Sequence, residues 1–157
     1  MRMRMENVIG AESKARLNLK QGRGGLVDVE FVAQMMALAH GYQYAALRKR
    51  STRDLLEELE WLQLLTGGEA QALREGYEFM ARLENRLRIE SDQPAWALPT
   101  DPDALRTLAR RMGYQGSPGA PQLLSDLRTR REAIRAAFES CFAREQNQSA
   151  SVTQTQA

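Results

Sequence analysis

From Glu69 to about Glu90 the apolar residues Leu73, Tyr77, Met80, Leu83 and Leu87 return every three or four positions, with charges of both signs between them. That period belongs to an α-helix with one face to bury, and a helix of this kind needs partners to cover its apolar side. Four more segments supply them. Leu26, Val29, Val32, Ala33, Met36 and Ala39 define a helix from about Leu26 to His40, with Gly41 placed to stop it. Ser51-Thr52-Arg53-Asp54 reads as an N-cap for a helix reaching about Leu65, buried through Leu55, Leu56, Leu59, Leu62 and Leu65, with Thr66-Gly67-Gly68 as the break. Thr100 or Asp101 caps a short helix through Met112, with Pro102 in its first turn and Gly113 after its end. A last helix runs from about Pro121 to Arg144 on Leu123, Leu124, Leu127, Ile134, Phe138 and Phe142. Only Arg16-Leu17-Asn18-Leu19-Lys20 alternates as a short edge strand would. The expected fold is all-α: a bundle of about five helices with a glycine-rich N-terminal loop and a disordered C-terminal tail.

The expected organisation is a linker and glycine-rich loop over residues 1–25, the bundle over 26–145, and a tail over 146–157 whose only larger apolar residue is Val152. Residues 1–20 carry little core-forming pattern and read as the end of a preceding segment. Between the third and fourth helices, Asp92 to Pro99 is a loop expected to be held by Trp96, since its two prolines cannot continue a helix. The 157 residues suffice for one core. A formal net charge of +2, from 22 basic and 20 acidic residues, gives no argument for nucleic acid or a membrane surface. Cys141 is the sole cysteine, which excludes an intrachain disulfide and a cysteine metal site and suits a reducing cytoplasm. No run of about 18 apolar residues occurs, and the Met-Arg-Met-Arg-Met start lacks the apolar stretch of a signal peptide.

The segment that most resembles chemistry is Lys20-Gln21-Gly22-Arg23-Gly24-Gly25-Leu26-Val27-Asp28-Val29-Glu30-Phe31. Its glycines free the backbone for tight turns, and Lys20 and Arg23 place positive charge beside a helix N-terminus. Lys20, Arg23, Gly24, Gly25, Asp28 and Glu30 are therefore the candidate residues of a substrate-binding or domain-docking loop. The spacing is neither a Walker loop nor a dinucleotide fingerprint, and a plain tight turn is the competing reading. Asp28 and Glu30 lie two positions apart, which turns them about 200° from one another on a helix. Acidic residues opposing the helix dipole account for both, and a contact from Asp28 to Arg23 or Lys20 is an equal option.

Elsewhere the signals are structural. His40, the single histidine, stands near a helix end, so no histidine metal site or relay is available, and Cys141 has no base beside it. Arg82 and Arg86 with Glu78, Glu84 and Glu90 fall at ion-pair spacings on one helix. Arg106, Arg110, Arg111 and Arg128, Arg130, Arg131, Arg135 form two basic clusters suited to an acidic partner. No catalytic or metal-binding residue is assigned.

Leu19-Lys20 followed by Gly24-Gly25-Leu26-Val27-Asp28-Val29-Glu30-Phe31 and Gln34 resembles the signature of the glutamine synthetase adenylyltransferase family. Tyr77-Glu78-Phe79 leading into Arg82-Leu83-Glu84-Asn85-Arg86-Leu87, then Gln93, Leu98-Pro99 and Leu105 to Gly113, is similar to that family's helical domain in order and spacing. The likeness covers about residues 16 to 143, and a shorter form of the loop element also occurs in PII uridylyltransferases. The resemblance implies a large two-part enzyme in which a nucleotidyltransferase domain precedes a helical bundle in each half. One half transfers AMP from ATP to a tyrosine of glutamine synthetase, and the other removes it by phosphorolysis under control of PII signalling protein and glutamine. The family's metal-binding carboxylates lie in a Gly-Ser and Asp-x-Asp region upstream of the loop, which this sequence lacks. The expectation is a helical-domain fragment, inactive alone, whose full-length enzyme uses Mg2+ and ATP and whose loop docks on the nucleotidyltransferase domain. A non-catalytic helical protein-interaction module is the alternative.

Overall fold

A computed structural model of the chain describes residues 18–48, 51–89 and 96–155. Five α-helices lie within them: α1 Leu26–His40, α2 Thr52–Trp61, α3 Gly67–Arg88, α4 Pro102–Arg111 and α5 Gly119–Thr155, with a single 3-10 turn at Ala45–Leu47. The all-α bundle is as expected. α3 and α5 make the main seam; α1 packs on α2, α3 and α5, and α4 leans mainly on α5.

Several ends follow local chemistry directly. α1 stops at Gly41, whose amide donates to the Ala37 carbonyl at 2.8 Å. Ser51 caps α2, and the Asp101 carboxylate caps α4 by accepting from the Ala104 amide at 2.8 Å. Pro102 then sits in the first turn, where its missing amide costs nothing. α2 ends four residues before Leu65, because Gln63 turns left-handed with φ 57° and the amides of Leu64 and Leu65 fold back to the Leu59 carbonyl. Leu65 remains buried by that turn rather than by helix.

α3 begins inside the stretch expected to break it. The Thr66 hydroxyl accepts from the Glu69 amide at 3.3 Å, while Glu69 Oε2 accepts from the Thr66 amide at 2.9 Å. This reciprocal cap organises a first turn that Gly67 and Gly68 alone would leave open. Further along, the face anticipated from periodicity is the buried one: Leu73, Met80, Leu83 and Leu87 are inside and Tyr77 is half-buried. On α1 the stripe holds through Met36, but Ala39 is exposed.

α5 starts two residues before Pro121 and its backbone stays helical through Thr155, so the polar segment 146–157 begins within this helix. No proline or glycine follows Pro121 to stop propagation. The edge strand expected at residues 16–20 reduces, among the described residues, to an isolated antiparallel bridge between Asn18 and Ala97, with the Leu19 amide donating to the Trp96 carbonyl at 2.8 Å. A single pairing closes the loop after α3 onto the chain before α1 and extends no sheet. Residues 1–17 of the linker and Asp92–Ala95 of the loop lie outside the described residues.

Candidate functional site

The glycine stretch is a closed turn seated on α5. Asn18 Oδ1 accepts from the amides of Lys20 and Gln21 at 3.0 and 2.9 Å, and the Asn18 carbonyl accepts from the Gly22 amide. Gly25 donates to the Gly22 carbonyl at 2.8 Å, Leu26 to that of Leu19 and Val27 to that of Lys20 at 3.1 Å each. These donors are satisfied inside the turn, so the backbone here is not an open anion cradle.

Two glycines are required by space. Gly24 has φ +70°, and a Cβ on it would lie 2.1 Å from the Arg131 carbonyl oxygen of α5. A Cβ on Gly25 would stand 2.6 to 2.8 Å from the carbonyls of Lys20, Gly22 and Leu19. Gly25 is also the N-cap of α1, where it carries no side chain to cap with. Asp28 instead ties the turn to the helix from the first turn. Fully buried in the third position of the helix, its Oδ2 accepts from the Gly24 amide at 2.7 Å and lies 3.6 Å from Arg135 Nη1. The dipole-facing acid of the sequence reading is thus a latch between turn, helix and α5.

Arg135 Nε also donates to Glu139 Oε1 at 2.6 Å, and Arg23 Nη2 reaches the same oxygen at 3.0 Å. Arg135 foremost, then Arg23, hold the Glu139 carboxyl below the usual carboxylate range. Arg131 Nε donates to the Arg23 carbonyl at 2.9 Å. Lys20 places its ammonium 4.3 Å from the centre of the Trp96 ring, which Arg88 approaches at 5.5 Å, so two cations flank Trp96. Glu30 is half-buried, turned from the buried Asp28 as the spacing required.

The structure brings Arg23, Gly24, Gly25 and Asp28 together, with Lys20 at the side of the turn toward Trp96. It adds residues the sequence reading had placed elsewhere or passed over: Asn18, Arg131, Arg135 and Glu139. The sequence places Arg131 and Arg135 in a basic cluster suited to an acidic partner; in the structure both are buried against the turn. Their spacing carried one usable sign, the i,i+4 pair of Arg135 and Glu139.

A second polar knot lies where α3 starts against α5. Arg144 grips both carboxylate oxygens of Glu69 at 3.0 Å, and Ser140 donates to Oε1 at 2.7 Å. Burial alone would raise the Glu69 carboxyl, but the bonds from Arg144, the Thr66 amide and Ser140 outweigh it and bring it down to about 2. Cys141 beside it is fully buried; burial first, and then the Glu69 charge, push its thiol up to about 12, where it is no nucleophile. His40 Nε2 meets Glu145 Oε1 at 3.2 Å, a tie between α1 and α5. Among the described residues no three His, Cys, Asp or Glu side chains gather as a metal site, and no helix is long and apolar enough to cross a membrane.

The family described as GlnD PII-uridylyltransferase matches residues 1–142. Similar curated proteins are bifunctional glutamine synthetase adenylyltransferase/adenylyl-removing enzymes. That of Cutibacterium acnes is 40% identical over 115 residues, covering 73% of this chain and 12% of the relative. Those of Bradyrhizobium diazoefficiens and Nitrosomonas europaea are 35% and 36% identical over 128 and 126 residues, covering 80% of this chain and 12% and 13% of theirs. The chain therefore spans a small part of the length of each. The latched glycine turn and the helices packed on it fall inside the matched stretch, and the chain belongs to the GlnD PII-uridylyltransferase family, with adenylyltransferase/adenylyl-removing enzymes of glutamine synthetase among its relatives.

Proposed function

We infer that this chain is the helical module of a bifunctional enzyme that transfers AMP from ATP to a tyrosine of glutamine synthetase and removes it again. The observation that carries this is the similarity to enzymes of that name across most of the chain. In this reading Mg2+ and ATP are held by a nucleotidyltransferase domain elsewhere in the parent protein. The module is inactive alone, works in the cytoplasm, and answers to glutamine synthetase and the PII signalling protein only as part of the parent. Its own residues supply rigidity: the turn from Asn18 to Asp28 is bonded to α5 at Arg131 and Arg135, so whatever precedes the turn meets a fixed surface. Exposed Arg23 and half-buried Lys20 form the charged margin of that surface.

The interaction-module reading is favoured by one observation, that Lys20, Arg23 and the turn's amides have partners within the fold and so need no nucleotide to explain them. The two readings part in one assay. Parent protein incubated with glutamine synthetase, Mg2+ and labelled ATP is expected to incorporate AMP, whereas the 157-residue chain under the same conditions should incorporate none. Labelling of PII by UTP in place of that reaction, or AMP transfer by the short chain unaided, would overturn the assignment.

A further inference from the structure

α1 is apolar on two sides. One, made of Leu26, Val29, Val32, Ala33 and Met36, is buried in the bundle. The other carries Phe31, Met35 and Leu38, and Tyr42 extends it just past the helix end, because Gly41 keeps a right-handed φ of −65°. Leu38 is 86% exposed and Tyr42 93%, whereas Phe31 and Met35 are half-buried. Phe31 stands against the rings of Phe138 and Phe142 on α5, at 5.6 and 6.5 Å between centres, so the stripe rests on a firm base. Phe142 is itself partly exposed and continues the apolar surface. No charge interrupts the stripe on α1: Asp28 is buried, and Glu30 and His40 are half-buried at other angles of the helix. A helix apolar all round ordinarily has both sides covered.

The spacing says what covers the outer side. Steps of four, three and four residues are those of a seam that packs on another helix, and they read the same in either direction. So does the order of side chains: aromatic, aliphatic, aliphatic, aromatic. A two-fold axis between Met35 and Leu38 calls for such a self-complementary face. It runs the two α1 helices antiparallel, with Tyr42 against the partner's Phe31 and Met35 against the partner's Leu38, each contact made twice. The size agrees as well. Since an aromatic side chain covers about 150–250 Å², Leu38, Tyr42 and the open parts of Phe31, Met35 and Phe142 amount to roughly 500 Å² of apolar surface. Homodimer interfaces are about 65% apolar, so this is the apolar share of a face of about 800 Å², the standard size per partner. A membrane surface fits poorly, because α1 contains no Lys or Arg to meet lipid headgroups.

We propose that this stripe is the interface of a two-fold dimer of the chain, closed by antiparallel packing of α1 on α1. The dimer belongs to this chain's own surface and does not rest on the AMP-transfer reading. Sedimentation equilibrium of the full chain across micromolar concentrations should show a dimer that dissociates on dilution. Leu38→Glu sets a charge against apolar side chains at both symmetric contacts and should raise the dimer Kd by ~tenfold or more. Trp61→Glu, at the other strongly exposed aromatic, should leave it unchanged. Both positions are exposed in the single chain, so circular dichroism should show the same fold in each variant. Under a mild oxidant Tyr42→Cys alone should form no disulfide, because the axis holds the two positions about 16 Å apart. Met35→Cys mixed with Leu38→Cys should cross-link, and Cys141 is fully buried and does not compete. A chain that stays monomeric leaves the stripe to another segment of the parent protein and overturns the proposal. So does a dimer that ignores Leu38→Glu, one broken by Trp61→Glu, or one in which Tyr42→Cys links to itself.

Discussion

Glu69 belongs to α3 but is held largely by α5: its two oxygens take the guanidinium of Arg144 side by side, one adds the Ser140 hydroxyl, and the other caps its own helix through the Thr66 amide. A carboxyl lowered from 4.5 to about 2 on folding stabilises the native state fully above its unfolded value and loses that contribution as pH falls toward about 2. The shift corresponds to about 3 kcal/mol at neutral pH. Urea unfolding measured from pH 7 to pH 2 is therefore expected to weaken steeply below about 4.5, and Glu69→Gln should be less stable at pH 7 yet flatter through that window. Glu139, also lowered but exposed, leaves some slope behind. An identical slope in Glu69→Gln would mean that the acid sensitivity resides elsewhere. Such pairings were not legible in the sequence. Asp28 with Arg135, and Glu69 with Arg144, join residues far apart in the chain, and periodicity reports only neighbours within a turn or two. The candidate turn itself was legible because its glycines advertise it; what they serve, contact with α5 at Arg131, was not.

Among elements, those whose ends carry their own chemistry were read closely: α1 with Gly41, α2 from Ser51, and α4 with Asp101 and Pro102. α3 was misplaced at its start because two glycines outweighed, in the reading, a threonine and glutamate at capping-box spacing. The α3–α5 seam shows a further feature that one helix alone does not reveal. Gly76 lets the helices approach so closely that a Cβ would stand 2.5 Å from Ile134 Cδ1 and 2.7 Å from its Cγ1. Gly76→Ala gains helix propensity of roughly 1 kcal/mol, but overpacking at such contacts typically costs about 1–3 kcal/mol. Ile134 is fully buried, and Ile134→Ala should cost about 2–5 kcal/mol alone. Since the alanine at 134 removes both clashing atoms, the double variant should be more stable than the sum of the single losses predicts, a coupling of about 0.5–3 kcal/mol. Strict additivity in a denaturation cycle would show that the seam relaxes without Ile134.

The described part of the molecule is organised around α5, which touches the glycine turn, α1, α3 and α4. Near the end of its packed part, Arg144 binds Glu69 and Glu145 meets His40. Beyond it the helix continues through a polar stretch with no apolar stripe to bury, so its helicity rests on propagation from the packed part rather than on packing of its own. Two truncations separate these regions. Ending the chain after Gln148 removes only small and polar residues apart from Val152, and thermal unfolding should shift by less than about 2 °C. Ending it after Ala143 removes Arg144 and Glu145 together and leaves Glu69 buried beside a lost partner, which typically costs about 3–5 kcal/mol. If the loss comes from the orphaned charge, Glu69→Gln in the shorter chain should recover part of it, since a neutral amide is less costly to leave unpaired than a carboxylate. Equal melting temperatures for the two truncations would show that the bundle closes before Arg144, and failure of Glu69→Gln to recover any stability would assign the loss to the missing helix turn instead.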